Sequence, residues 1–267
     1  MEIRVHGLRY QVQIAGEGPA LLLLHGFTGA GDNWLPLLPV FTPHFRTIRV
    51  DLIGHGGTES PGDLERYRVE PAAADLAAIL DELGEKSVLL LGYSMGGRLA
   101  LSFAMLYPER VERLLLESSS PGLASSEERR KRRQSDEVLA NRIETSGLEA
   151  FVDSWEKIPL FASQQGLPQT VRDEIRKQRL ANNPVGLANS LRGIGTGAQP
   201  SWWDKLPQLK IPVMLLVGEK DTKFRHIGEE MIKRLPDARL ENIPLSGHTI
   251  HVEQTRLFGT IVMDFLE

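Results

Sequence analysis

A serine, an aspartate and a histidine occur in the order Ser94, Asp221, His248, each in a turn-like segment behind an apolar run. A serine hydroxyl is a weak nucleophile or base at neutral pH unless a histidine accepts its proton. The imidazole needs a carboxylate that fixes its tautomer and stabilises its charged form. Taken alone, Asp221 would be a turn or helix-cap residue and His248 a loop residue. Their joint order and placement predict a Ser–Asp–His triad.

The serine lies in Gly92-Tyr93-Ser94-Met95-Gly96, between an apolar run at 87–91 and a helical pattern at 98–104. A strand that turns sharply into a helix around a serine is a nucleophile elbow, whose glycines let the two backbones pass closely. The turn lifts the hydroxyl clear of the sheet and aims the positive end of the helix at a developing oxyanion. This segment therefore predicts Ser94 as the reactive residue.

Two backbone N–H groups are expected to form an oxyanion hole beside the serine. One belongs to Met95, which directly follows Ser94, and the other belongs to Phe27 in the loop 25–29. Donors at these two places are where elbow enzymes stabilise an oxyanion. The histidine that opens this loop, His25, is expected to brace it rather than to carry protons. The same structural role is expected of His55 and His251.

Arg98, four residues after Ser94, is an unusual residue for the first turn of a helix. A cation there opposes the helix dipole, at a cost of about 0.3–1 kcal/mol. The four-residue spacing places it near the face of the helix that carries the serine. A guanidinium binds carboxylates bidentately, so Arg98 predicts a substrate carboxylate. The alternative is a salt bridge to a nearby acidic residue.

Short apolar runs and helical patterns alternate over most of the chain. Residues 2–14 predict a strand pair around a tight turn. Strands buried on both faces are predicted at 19–25, 47–50, 87–91, 111–117, 213–217 and 238–243, and helices at 71–83, 98–106 and 226–235. This alternation predicts an α/β fold, a mainly parallel sheet with crossover helices on both faces. The three triad candidates then fall at carboxyl ends of strands, where such sheets bind ligands.

The alternation stops between about 122 and 205, where no strand pattern occurs. Ser125 and Glu128 resemble a capping box that opens a helix. Further helices are predicted near 136–145, 147–155, 168–181 and 184–192. The predicted domains are therefore an α/β core at 1–121 and 205–267, and a helical lid at 122–204.

The composition is that of an ordinary globular protein, with 267 residues, 41 % hydrophobic residues, no cysteine and a net charge of -4. The mild negative charge gives no reason to expect nucleic acid as a partner. No apolar run approaches the length that spans a bilayer, and no apolar leader is expected at the N-terminus. We therefore expect a cytoplasmic protein without membrane insertion. No metal or organic cofactor is expected, because no spacing of His, Asp or Glu requires one.

Several motifs resemble those of the α/β-hydrolase superfamily over nearly the whole chain. They lie at 25–27, 51–56, 92–96 and 247–248. A second set is similar to one family within it, the 2-succinyl-6-hydroxy-2,4-cyclohexadiene-1-carboxylate (SHCHC) synthases of menaquinone biosynthesis. That set lies at 92–98, 117–123, 128–130, 159–161 and 218–224. It extends into the predicted lid, where superfamily members differ most.

The resemblance implies a lyase rather than a hydrolase. Such an enzyme eliminates pyruvate from 2-succinyl-5-enolpyruvyl-6-hydroxy-3-cyclohexene-1-carboxylate to give SHCHC, without a cofactor. Ser94 would take a ring proton and relay it to His248, while the enolate oxygen would occupy the hole at Phe27 and Met95. The expected partner is thus a small polycarboxylate substrate, and no oligomeric state is implied.

The resemblance also assigns the carboxylates of this substrate to arginines. Arg98 would hold one, and an arginine of the run 129–133, taken to be Arg132, would hold another. The other expected contacts are an anionic contact at Arg179, a hydrogen bond from Tyr93, a wall of the ring pocket at Trp155 and, more weakly, Lys223. For Trp155 the alternative is a place in the lid core.

Two other function classes are compatible with these motifs. A serine esterase or C–C bond hydrolase would use the same triad, but the arginines argue against its preference for neutral or monoanionic substrates. A non-catalytic receptor for a small ligand would not need the triad. A haloalkane dehalogenase is disfavoured, because Ser94 stands where an aspartate would be needed.

Overall fold

A computed structural model of the chain describes all 267 residues, in which eight strands form one sheet. The strands are β1 (Glu2–Val5), β2 (Leu8–Ala15), β3 (Ala20–Leu24), β4 (Arg46–Val50), β5 (Val88–Tyr93), β6 (Val111–Glu117), β7 (Val213–Gly218) and β8 (Ala238–Ile243). Their order across the sheet is β1-β2-β4-β3-β5-β6-β7-β8. β2 pairs antiparallel with β1 and β4, and all other pairs are parallel. The predicted strand pair and mainly parallel sheet are confirmed.

Ten α-helices and five short 3-10 helices cover the sheet. The α-helices are α1 (Leu38–Phe41), α2 (Val69–Glu82), α3 (Met95–Leu106), α4 (Ser126–Ser146), α5 (Leu148–Trp155), α6 (Gln169–Leu180), α7 (Pro184–Ile194), α8 (Thr222–Ile232), α9 (Ile250–Glu253) and α10 (Thr255–Leu266). The 3-10 helices are Gly31–Leu37, Leu64–Tyr67, Pro108–Arg110, Pro159–Gly166 and Trp203–Gln208. None of these helices combines the length and apolarity needed to cross a membrane.

The strand β3 shows why the central strands read as continuous apolar runs. Side chains alternate between the faces of a strand, and both faces of this sheet are covered. Leu22 and Leu24 pack into a core with α2 and α3, whereas Leu21 and Leu23 pack into a second core with α1 and α10. All five residues of β3 are buried. The sheet is therefore a rigid base on which the loops at its carboxyl edge are held.

Between β6 and β7 the chain forms only helices, α4 to α7 and two 3-10 helices, as the missing strand pattern indicated. Ser125 and Glu128 form the predicted capping box at the start of α4. The helix then continues to Ser146, so the pattern at 136–145 is its second half and not a separate helix, because no Gly or Pro interrupts it. Three of these helices, α4, α5 and α7, share a small apolar core of their own around Ile143, Phe151 and Leu187.

Two helices begin earlier than the sequence predicts. The helix α3 begins at Met95, directly after Ser94, rather than at 98. The helix α8 begins at Thr222 rather than at 226, because the Asp221 side chain accepts the Phe224 N–H and caps it. Both shifts place a helix N-terminus directly against a triad candidate.

Candidate active site

Ser94 occupies the sharp turn between β5 and α3, with φ 50° and ψ -107°. Residues other than glycine seldom adopt a positive φ, and such strain is typical of elbow nucleophiles. The turn is fixed on both sides, because the Ser94 N–H donates to the Glu117 carbonyl at 2.8 Å and its own carbonyl accepts from the Arg98 N–H at 2.9 Å. The serine hydroxyl is thereby presented at the carboxyl edge of the sheet.

Two glycines make this turn possible by close backbone approach. A Cβ on Gly96 would lie 2.4 Å from the Leu24 carbonyl oxygen, and a Cβ on Gly92 would lie 2.5 Å from the Gly96 carbonyl oxygen. Both obstacles are backbone atoms, which cannot rotate away. The sequence requires glycine at both positions so that α3 can pack directly on β3 and β5.

The structure brings the three triad candidates together. His248 Nε2 lies 3.0 Å from Ser94 Oγ, and His248 Nδ1 lies 2.7 Å from Asp221 Oδ2. Asp221 and His248 are both buried, and the Phe224 ring packs 4.7 Å from the imidazole. The other oxygen of Asp221 accepts the Phe224 N–H at 3.2 Å. Asp221 is therefore both a helix cap and the partner of His248, which joins the two interpretations of this residue.

These contacts can move a proton. With Nδ1–H donating to the Asp221 carboxylate, the imidazole presents an unprotonated Nε2 to the Ser94 hydroxyl. Nε2 can then take the serine proton, and the buried carboxylate stabilises the imidazolium that forms. Ser94 in this setting can act either as a nucleophile or as a base toward an acidic C–H.

The two backbone donors predicted for the oxyanion hole are unpaired. The N–H groups of Phe27 and Met95 donate to no acceptor within the protein. The Phe27 loop is braced by His25, whose Nδ1–H donates to the Gly26 carbonyl at 2.8 Å and whose Nε2 accepts the Leu52 N–H at 2.9 Å. Burial lowers the pKa of His25 to about 4, which keeps it neutral as these two bonds require. The bracing role predicted for His25 is confirmed.

The other two histidines also make structural contacts. The His55 Nδ1–H donates to the Ile53 carbonyl at 3.0 Å, and burial lowers the pKa of His55 to about 3. His251 donates its Nδ1–H to the fully buried carboxylate of Glu117, at 2.8 Å. Sequence reasoning missed this carboxylate. Its signal is an acidic residue that closes the apolar run of β6.

Arg98 is buried without an acidic partner. Its guanidinium donates to two neutral oxygens, the Ile194 carbonyl at 2.8 Å and the Gln199 side-chain amide. Burial and the nearby Arg132 lower the pKa of Arg98 to about 9, while Asp136 acts in the opposite direction. The alternative of a salt bridge to an acid is thus not what the structure contains. A buried cation that forms no salt bridge favours an anionic ligand.

Two further cations complete a positive cluster around Arg98. Burial lowers the pKa of the Lys223 ammonium, and the nearby cations Arg132 and Arg98 lower it further. One carboxylate offsets them, because Arg132 Nε donates to Asp136 Oδ1 at 2.7 Å. Lys223 immediately precedes Phe224, whose ring packs on His248. The three cations therefore form an anion-attracting cluster next to the candidate triad.

Arg179 belongs to a second region, between the Phe27 loop and α6. A pocket that is partly open to solvent is lined there by Phe27, Tyr93, Phe161 and Arg179, among others. The Arg179 guanidinium lies 4.9 Å from the centre of the Phe161 ring and donates to Gln164 at 3.3 Å. Burial lowers the pKa of Arg179, whose nearest carboxylate is at 3.8 Å, on Glu156.

Trp155 stands between the lid core and this cavity. Its ring packs edge-on against Phe27 at 5.5 Å and Phe161 at 5.7 Å, and it stacks on Phe151 at 5.5 Å. Trp155 thus packs on the lid core, in line with the second interpretation, and contacts two rings that line the cavity without lining it itself. No group of three or more His, Asp or Glu side chains is placed to hold a metal ion.

The predicted substrate contacts thus divide into two separate groups. Arg98, Arg132 and Lys223 form one group, while Tyr93 and Arg179 line the cavity of the other. Two groups of cations suit a small molecule with several anionic groups better than a neutral ester.

Comparisons with known proteins identify the family of the chain. Residues 19–255 match the family model described as the alpha/beta hydrolase fold. A protein of Bacillus subtilis (strain 168), provisionally named 2-succinyl-6-hydroxy-2,4-cyclohexadiene-1-carboxylate synthase, is 52 % identical over 97 % of this chain and 95 % of its own.

Solved structures give the same picture. The structure of MenH from S. aureus has a TM-score of 0.92 at 38 % identity, covering 96 % of this chain and 97 % of its own. A malate-bound thermophilic esterase from Thermogutta terrifontis has a TM-score of 0.85 at 27 % identity, covering 100 % and 98 %. The chain therefore belongs to the α/β-hydrolase fold family and, within it, to the family of the SHCHC synthases.

Proposed function

We propose that this protein is a carbon–oxygen lyase that eliminates pyruvate from 2-succinyl-5-enolpyruvyl-6-hydroxy-3-cyclohexene-1-carboxylate to give SHCHC. One observation carries the proposal, namely that the buried Arg98 guanidinium, about one helical turn after Ser94 in the chain, forms no salt bridge and donates only to neutral oxygens. A hydrolase of neutral esters has no use for such a charge. The SHCHC synthase relatives support the same reaction.

The difference between substrate and product defines the bonds that change. The C2–H bond, next to the succinyl ketone, breaks, and its electrons form the C2–C3 double bond. The C3–C4 double bond moves to C4–C5 while the C5–O bond breaks, which gives the 2,4-diene. The enolpyruvate that leaves takes up one proton and becomes pyruvate, so neither an oxidant nor water is consumed.

Each residue of the site has one part in this reaction. Ser94 takes the C2 proton while passing its own hydroxyl proton to His248, and Asp221 stabilises the imidazolium. Negative charge develops on the ketone oxygen, which accepts from the N–H groups of Phe27 and Met95. No acyl–enzyme forms, because the serine removes a proton rather than attacking a carbonyl carbon.

The cations bind the substrate's carboxylates at two ends. The cluster of Arg98, Arg132 and Lys223 binds a carboxylate at one end of the substrate. Arg179 binds a carboxylate at the other end. Tyr93 donates a hydrogen bond beside the nucleophile, and Trp155 forms a wall of the ring pocket. Two anchors on opposite sides fix the ring so that C2 lies against Ser94.

Pyruvate release tests the proposal directly. The purified protein is incubated with freshly made enolpyruvyl substrate, and pyruvate is followed through lactate dehydrogenase, with p-nitrophenyl acetate as the control substrate. We expect fast pyruvate release, little ester cleavage and an unmodified protein mass in quenched samples. Ester cleavage without pyruvate release would reject the lyase.

A serine esterase is the second candidate, because the elbow geometry and the Thermogutta terrifontis esterase are compatible with it. In that case Ser94 would attack a carbonyl carbon and carry an acyl group. A mass increase at Ser94 in a quenched reaction would favour this candidate. A receptor without catalysis would show neither product nor adduct.

A further inference from the structure

A chain of four buried side chains connects the lid helix α6 to the strand that carries the elbow. An Arg179 N–H donates to Gln164 Oε1 at 3.3 Å, and Gln164 Nε2–H donates to Thr249 Oγ1 at 2.8 Å. Thr249 Oγ1 lies 2.9 Å from the Tyr93 hydroxyl oxygen. All four side chains are more than nine-tenths buried, and all four line the same cavity.

The last two members of this chain are next to the reacting groups in the sequence. Tyr93 directly precedes Ser94, and Thr249 directly follows His248. The hydroxyl–hydroxyl contact between Tyr93 and Thr249 therefore ties the elbow to the loop that carries the imidazole. Gln164, from the 3-10 helix Pro159–Gly166, holds the lid to this same junction.

The hydrogens of the chain do not all find acceptors within it. Gln164 accepts from Arg179 through its oxygen and donates through its nitrogen, so its amide has one orientation. Thr249 and Tyr93 then have two hydroxyl hydrogens for the single contact between their oxygens. One hydroxyl hydrogen is left over, and both hydroxyl groups line the cavity.

We propose that Gln164 and Thr249 are positioning residues for the pyruvate elimination. Through their hydrogen bonds they hold the surplus hydroxyl hydrogen of the Tyr93–Thr249 pair toward a carboxylate or ketone oxygen of the substrate. They also set the distance from that donor to the Arg179 guanidinium, so that one group of the substrate contacts both the hydroxyl and the guanidinium. This inference rests on the proposed function and adds two residues that act through Tyr93 and Arg179.

Kinetics of matched variants test the positioning role. Thr249→Val keeps the shape of the side chain but removes the hydroxyl, and should lower kcat/KM about tenfold, whereas Thr249→Ser should stay within about twofold of the wild type. If Thr249 acts through Tyr93, then Thr249→Val should add less than about twofold in a Tyr93→Phe background. Losses that multiply in the double variant, or a Thr249→Val enzyme equal to wild type, would overturn the inference.

A charge-neutral amide is also required at Gln164. In Gln164→Glu the carboxylate accepts the Thr249 hydrogen, Tyr93 donates to Thr249, and no hydroxyl hydrogen remains for the substrate. We expect at least about a tenfold loss of kcat/KM. The matched control is Gln165→Glu, the same change at the exposed neighbour, which should leave the rate unchanged. Equal rates in the two variants would contradict the positioning role.

Amide hydrogen exchange provides a readout that needs no turnover. Because Gln164 joins the lid to Thr249, segment 159–166 should exchange faster in Thr249→Val, and at the wild-type rate in Thr249→Ser. Unchanged exchange in Thr249→Val would overturn the link between lid and elbow. If the wild type released no pyruvate, the proposed function would fail, while this measurement would still decide whether the link exists.

Discussion

Arginine side chains serve two different purposes in this molecule. Arg192 donates to Glu137 and Glu144 and so fastens α7 to α4, in a network made only of the protein's own groups. Arg98 is buried with two neutral acceptors and no carboxylate. A cation in the first setting stabilises the fold, whereas one in the second is kept for a ligand.

Replacing Arg98 by methionine should therefore separate stability from activity. We expect kcat/KM to fall at least about 100-fold, because a charge-assisted carboxylate contact is lost. The free energy of unfolding should change by less than about 1 kcal/mol, since relief of the desolvated charge offsets the two lost donors. Urea denaturation and pyruvate release measure both quantities.

The control is Arg192→Met, which removes an arginine that has no part in the proposed reaction. It should lower the free energy of unfolding by about 1 kcal/mol and leave kcat/KM within about twofold of wild type. If Arg98→Met instead lost stability and kept its rate, Arg98 would be a structural residue.

Ser94→Ala should remove the base while leaving the binding groups in place. We expect kcat for pyruvate release to fall at least about 1000-fold, with the affinity for SHCHC changed less than about threefold. Stopped-flow turnover and calorimetric titration with SHCHC provide the two values. A variant that turns over at the wild-type rate would show that another group takes the proton.

At the scale of elements, the site is an assembly of helix starts and loops on one sheet edge. The helix α3 begins against Ser94 and α8 begins against Asp221, so two positive helix ends lie at the reacting groups. The helices α5 and α6 contribute Trp155 and Arg179. The precision of this assembly depends on how closely α3 lies on the sheet.

A methyl group on Gly96 should disrupt that packing. In Gly96→Ala the new Cβ would meet the backbone oxygens of Leu24 and His25, each at 2.4 Å. We expect a loss of about 3 kcal/mol or more in the free energy of unfolding, together with most of the activity, because α3 must move off β3. Gly62→Ala, where nothing lies within 4 Å, should have little effect. Equal melting temperatures for the two variants would contradict the close approach.

For the molecule as a whole, two buried neutral histidines link stability to pH. Burial lowers the pKa of His25 to about 4 and of His55 to about 3, from 6.5 in the unfolded chain. Below pH 6.5 the unfolded chain therefore binds protons that the folded protein does not. Their contribution to stability is complete above pH 6.5 and is lost as the pH falls toward 4 and then 3.

We expect the free energy of unfolding to fall by the order of a few kcal/mol between pH 7 and pH 4 from these two groups. His25→Gln should reduce the slope of that fall by up to one proton, and His226→Gln, at an exposed histidine, should not. Denaturant titrations at a series of pH values measure the slopes. A wild-type slope unaffected by His25→Gln would show that His25 is not the group responsible.

Much of the fold and of the reacting residues could be predicted from the chain because their signals are local. A five-residue apolar run such as β3 indicates a strand buried on both faces, and Gly92 and Gly96 around a serine indicate an elbow. Ser125 and Glu128 indicated the start of α4 for the same reason, since a capping box is complete within four residues.

Other features depend on contacts between distant segments, which no local pattern encodes. That Arg98 lacks a counter-ion is decided by α7 and Gln199, about a hundred residues away, which supply only neutral oxygens. The Glu117–His251 pair and the chain from Arg179 to Tyr93 are likewise formed across the fold. The residues that carry the chemistry can be recognised in the sequence. Their charge balance and the directions of their hydrogen bonds are decided by the tertiary structure, because both depend on all the groups that surround each side chain.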